Sequence, residues 1–137
     1  MLEVYIDGAT VGENGKSAAS FVAKNKQVCL EAYTFIGEKT NHEAEFHALY
    51  FALVTLKHDY SDEILSIRSD SKIVVDTIEK AYTKNPAFLS YYDKIAELIT
   101  HFPHVFIKWI PDKDNKRADA LARTGLQTES TIIQSCS

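Results

Sequence analysis

The chain has 137 residues, 45% hydrophobic and 25% charged, with a formal charge of -4. Those values describe one globular domain large enough to bury a core, and they exclude attraction to a polyanion by bulk charge alone. No run of about 18 apolar residues is present, so no transmembrane helix is expected, and the start MLEVYIDG carries no secretory pattern.

Leu2 to Ile6 alternates apolar and polar residues and predicts a strand ending at the turn signal Asp7-Gly8. Lys16–Ala23 and Gln27–Ile36 predict two further strands joined by a hairpin turn near Asn25. A helix is expected from about Asn41 to His58, then a short strand over Glu63–Ser69 ending at Asp70-Ser71. Helical spacing returns from Ser71 to about Tyr82, and Asn85-Pro86 interrupts it. A third helix is expected over Ala87–Phe102, a last strand over His104–Ile110 and a closing helix over Asn115–Thr124. Residues 128–137 read as a polar tail, loose or weakly docked, which leaves a single domain over residues 1–127. A hairpin block that leads into β-α-β units implies an α/β fold with a mixed sheet and helices packed on it.

Cys29 and Cys136 are far apart and form no CxxC pattern. Reduced thiols and a cytoplasmic location are therefore expected, with Cys29 as a small core residue.

The stretch TNHEAEFHALYFAL poses a question of chemistry. Thr40 and Glu43 satisfy the S/T-x-x-E capping box, so Glu43 has a structural task. Glu45 does not. On a helix it heads the stripe of Ala48, Leu49, Ala52, Leu53 and Leu56, the face meant for burial. Burying an unpaired carboxylate is costly, so that face must reach the sheet's rim. Asp7 and Asp70 close their predicted strands at the carboxyl edge, where open α/β sheets bind ligands. In NKRADALAR, Asn115 is expected to cap the helix, Lys116 and Arg117 to be solvated, and Asp119 to lie among small residues that allow close helix approach. Taken singly, each acid could equally be a cap, a turn former or a rim residue.

Together, the segments YIDGA, TNHEAEFHAL, IRSDS and WIPDKDNKRADALAR resemble, in order and spacing, the four signature blocks of type 1 ribonuclease H. The resemblance runs from about residue 2 to 126. It implies a ribonuclease H-like fold, with a five-stranded mixed sheet (three antiparallel strands, then two parallel) flanked by helices. It also implies that Asp7, Glu45, Asp70 and Asp119 are the catalytic, metal-holding cluster. All-oxygen ligands favour Mg²⁺ or Mn²⁺. The family implies two such ions and an enzyme that cuts the RNA strand of RNA–DNA hybrids, leaving 5′-phosphate and 3′-hydroxyl ends; a monomer is expected. Gly8, Ala9, Asn41, His42 and Ser71 are the candidate substrate contacts.

Three departures from the family pattern stand out. The loop Pro111–Lys116 lacks the histidine that many members carry before the last aspartate. Residues 82–90 offer only Lys84 as a DNA-gripping cation, so hybrid affinity is expected to be weak and salt-sensitive. No hybrid-binding domain stands before residue 1, so processivity is not expected. The alternative reading is a catalytically weak or inactive nucleic-acid-binding module of the same fold. A related 3′–5′ exonuclease is disfavoured, because the first strand carries Asp7-Gly8-Ala9 and not D-x-E. Trp109 shares the strand phase of Val105 and Ile107 and is expected in the core.

Overall fold

In the computed structural model, residues 1–136 are described. β1 (Leu2–Thr10), β2 (Asn14–Lys24) and β3 (Cys29–Thr40) form an antiparallel meander. Helix α1 (Asn41–Tyr60) then leads to β4 (Leu65–Ser69), which pairs parallel to β1. Helices α2 (Lys72–Lys80) and α3 (Pro86–Ile99) lead to β5 (Val105–Trp109), parallel to β4. A 3₁₀ turn at Asp112–Asp114 precedes α4 (Lys116–Thr128), and a further strand, β6 (Thr131–Ser135), closes the order β5-β4-β1-β2-β3-β6. The α/β class and the mixed sheet are as expected, but the sheet has six strands and not five.

The apolar stripe of α1 packs on the sheet through Ala48, Leu49, Ala52, Leu53 and Leu56, all buried against Leu2, Val4, Ile6 and Phe21. Phe88 and Tyr91 of α3 complete this layer, with the Phe88 ring 4.8 Å from Phe46. Opposite, α4 lies close on β1, β2 and β3 because its inner residues are small. Ala118 and Ala122 are fully buried, and a Cβ on Gly125 would stand 3.0 Å from the Cβ of Ala18. Ser20 donates to the carbonyl of Ala118 at 2.6 Å, and Arg117 makes a two-pronged ion pair with Glu31, one contact at 2.6 Å. Arg117 is therefore not simply solvated: it ties α4 to β3.

Four expectations need correction. β1 runs through Asp7-Gly8 to Thr10, because Gly8, Ala9 and Thr10 find antiparallel partners in Ala19, Ala18 and Ser17. The tail is not loose: residues 131–135 pair with Thr34–Leu30 of β3. Cys29 and Cys136 are not free thiols but form a disulfide, so the reduced-thiol basis for a cytoplasmic setting falls away. Trp109 is not core: it is 44% exposed, at the end of an edge strand. Among the described residues, no helix is long and apolar enough to cross a membrane.

Candidate active site

The parallel ladder of β1 and β4 ends at the pair Ile6–Ser69. Asp7 and Asp70 are the next residues of the two strands, so they emerge side by side at the carboxyl edge, one strand spacing of ~4.8 Å apart. Asp7 is 7% exposed, and Asp70 is partly buried.

The capping box at the head of α1 is complete. Thr40 accepts from the backbone N–H of Glu43 at 3.2 Å, and the Glu43 carboxylate accepts from the N–H of Thr40 at 3.1 Å. That fixes the entry of α1 and turns Glu45, one turn in, toward β1. Gly8 decides how close it comes. A Cβ there would lie 2.5 Å from the carbonyl carbon of Ala44 and 2.6 Å from the amide nitrogen of Glu45, both backbone atoms that cannot yield. Gly8→Ala should therefore push the head of α1 off β1, lower the melting temperature by several degrees and cut activity at least tenfold. A variant with wild-type melting temperature and activity would show that the contact is unimportant.

Asp119 is set by α4, whose start is anchored unexpectedly. Asn115 is 2% exposed, but its side chain makes no helix cap. Its amide instead donates to the carbonyl of Ile6 at 2.8 Å, one residue before Asp7. Hydrogen bonding from Asn115 also favours the ionised form of Asp70. One side chain thus links the end of β1, the end of β4 and the start of α4.

The electrostatics identify a single cluster. Burial, followed by the charges of Asp70, Asp119 and Glu45, pushes the Asp7 carboxyl up to about 8. Burial also raises Asp70, with Glu45 and Asp112 adding to the effect against the pull of Asn115. Four carboxylates from β1, α1, β4 and α4 therefore act on one another at one rim. A cleft of about 330 Å³ opens there, lined by Asp70, Asp112, Lys113, Lys116, Asp119 and Arg123.

The donor set suits a hard cation: carboxylate oxygens only, around a buried acid that disfavours its own charge. In this arrangement the outer carboxylates are engaged elsewhere. Glu45 contacts the ring of His42 at 3.3 Å, and Asp119 pairs with Arg123 at 2.9 Å. Accordingly, among the described residues no three acidic, histidine or cysteine side chains converge tightly enough to ligate one ion. Both partners are surface side chains, so releasing the carboxylates costs little.

The remaining candidates separate by exposure. Asn41 and His42 are exposed beside Glu45. Ser71 is buried, with its hydroxyl accepting from Val74 at the start of α2. Gly8 and Ala9 lie on β1 beyond Asp7. Sequence reasoning missed Arg123, Asp112 and the inward turn of Asn115. Arg123 was findable from its position one helical turn after Asp119, whereas the other two depend on the tertiary fold.

A family description, reverse transcriptase-like, matches residues 5–125. EbsB of Enterococcus faecalis is 40% identical over 128 residues, covering 93% of this chain and 95% of that protein. Ribonuclease HI of Halobacterium salinarum is 32% identical over 128 residues, covering 91% of this chain and 64% of its own length. The crystal structure of RNase H1 from that archaeon superimposes with a TM-score of 0.85 at 32% identity, covering 93% of this chain and 98% of that one. LC11-RNase H1, crystallised with an RNA/DNA hybrid, gives 0.86 at 28% identity over the same shares. The chain belongs to the reverse transcriptase-like family, and within it to the type 1 ribonucleases H.

Proposed function

We propose that this chain is a monomeric endonuclease that hydrolyses the RNA strand of RNA–DNA hybrids, with two Mg²⁺ or Mn²⁺ ions held by Asp7, Glu45, Asp70 and Asp119. The observation that carries the reading is Asp7, a buried carboxylate pressed by three others at the carboxyl edge of the sheet. A similar fold crystallised with an RNA/DNA hybrid supports the substrate class.

Bound there, divalent cations would supply water activation and charge neutralisation for in-line displacement at phosphorus, which leaves 5′-phosphate and 3′-hydroxyl ends. The protein's part is placement. Asp7 is central because it is the buried member, and its ionisation depends on a nearby positive charge. Asp70 stands beside it, its ionised form favoured by Asn115. Glu45 and Asp119 close the cluster from α1 and α4 once they leave His42 and Arg123. Asn41, His42 and the backbone at Gly8 and Ala9, beside the cluster, would contact the minor groove of a hybrid, where the 2′-hydroxyl distinguishes its RNA strand. Ser71 stays on that list: its oxygen accepts from the N–H of Val74 at the start of α2, and its O–H remains free to donate.

The loop histidine of the family has no substitute. His101 pairs with Glu97, His58 with Asp59 and His47 with Tyr91, the His104 ring lies tilted against Phe106, and His42 stands beside Glu45 and not in that loop. With no histidine in that loop, water activation would rest mainly on bound cations, and a slow enzyme is expected.

The test is cleavage of labelled RNA–DNA hybrid with Mg²⁺ or Mn²⁺, alongside Asp70→Asn. Cleavage of the hybrid, and not of duplex DNA, should fall below detection in the variant, whose metal-free melting temperature stays equal or rises. Hybrid binding without cleavage by the wild-type protein would replace this reading with that of an inactive binding module.

A further inference from the structure

The end of β5 carries a feature that the carboxylates do not explain. Trp109 leaves 44% of its surface exposed, which forfeits part of the burial that usually seats an indole. Two contacts hold it instead. Its indole N–H donates to the main-chain carbonyl of Asp70 at 3.1 Å, and the ammonium of Lys72 stands 5.1 Å from the ring centroid. Lys72 is the first residue of α2, where the helix dipole disfavours a cation, so its place over the ring is not a gain for the helix. Immediately alongside, the N–H of Ile110 donates to the carbonyl of Ser69 at 2.9 Å. The turn that presents Asp70 is thus held from β5 at two consecutive carbonyls.

We propose that Trp109, seated by Lys72, is a positioning residue for Asp70. Its indole N–H fixes the peptide from which the carboxylate projects, and so sets how that carboxylate meets Asp7 and a shared cation. The inference rests on the proposed hybrid-cleaving reading but does not need it for its test. Trp109→Phe keeps an aromatic face for Lys72 to cover but removes the N–H, together with part of the bicyclic ring. The loss of one aligned hydrogen bond should lower kcat about tenfold. The Mn²⁺ concentration at half-activation should move up severalfold, with KM for the hybrid within twofold of wild type.

A second readout needs no turnover: the Mn²⁺ concentration that produces half of the full rise in melting temperature should shift in the same direction. That shift should disappear when Trp109→Phe is combined with Asp70→Asn. Lys72→Met, which leaves the indole in place, should move both midpoints the same way by less. Wild-type kcat and Mn²⁺ midpoints in Trp109→Phe would overturn the proposal. So would a raised KM at unchanged kcat and midpoint, which would make the ring a substrate contact. If Trp109→Phe fails to fold, an unshifted Mn²⁺ midpoint in Lys72→Met overturns it equally. A wild-type protein that never cleaves hybrid would sink the proposed function, while the melting-temperature midpoints would still decide the role of Trp109.

Discussion

Asp7→Asn is expected to abolish hybrid cleavage and, in EDTA at pH 8, to raise the melting temperature by about 10 °C. The stabilisation follows from linkage. The folded protein holds a proton on Asp7 up to about pH 8, whereas the unfolded chain releases it near pH 4. Between those values the folded state binds more protons, so wild-type stability falls as pH rises, by at most ~1.4 kcal/mol per pH unit. Below pH 4 both states are protonated and the penalty vanishes; above pH 8 it is complete. Asparagine carries no such penalty, so the variant's advantage should be close to zero at pH 4 and should grow to a few kcal/mol at pH 8, with roughly 3 °C gained per kcal/mol. Mn²⁺ should act in the opposite sense, stabilising wild type by binding the folded state alone and leaving the variant nearly unmoved. Thermal melts across pH, with and without Mn²⁺, check all of this. Equal melting temperatures in EDTA at pH 8 would mean that Asp7 is not the strained centre of the cluster.

Cys136→Ser, or reduction with dithiothreitol, should cost on the order of 4 kcal/mol and lower the melting temperature by about 10 °C, with cleavage unchanged. The bridge joins residues 107 apart in sequence, and restricting so long a loop in the unfolded chain accounts for the size of the effect. β6 has little else to hold it. All five of its residues are exposed, and beyond its ladder to β3 the added support is a few hydrogen bonds, Cys136 to Cys29 at 2.9 Å, Phe35 to Ser130 at 3.1 Å and the hydroxyls of Thr34 and Thr131 at 2.7 Å. Limited proteolysis of the reduced protein should therefore begin in residues 130–136. Activity should survive because the bridge lies far from the carboxylates. Cys29 pairs with Lys24, which pairs with Glu3, placing it at the start of β1 while Asp7 lies toward the opposite end of the same sheet. A reduced protein that melts as the oxidised one does would show that the bridge contributes nothing.

What the residues declared for themselves was local and periodic. The Thr40–Glu43 box was readable because its two hydrogen bonds span three residues, and the same register separated Glu45 from Glu43. The stripe below Glu45 announced a helix lying on a sheet, and small residues around Asp119 announced a close approach. The order of strands and helices followed from the same patterns.

The rest depended on partners distant in sequence. Asp7-Gly8 has the chemistry of a turn, and only pairing with Ser20 and Ala19 of β2 converts it into strand. Asn115 has the chemistry of a cap, and only the free carbonyl of Ile6 draws it inward. Trp109 keeps a core phase, but β5 is an edge strand, so its last residue is left partly in water. Residues 131–135 lack the apolar face that marks a strand, because an edge strand closed by a disulfide is held by backbone pairing and covalent linkage more than by burial. Periodicity reports which face a segment buries. Which edge, carbonyl or thiol it meets is settled only when the whole chain packs, because those contacts join residues up to 109 positions apart.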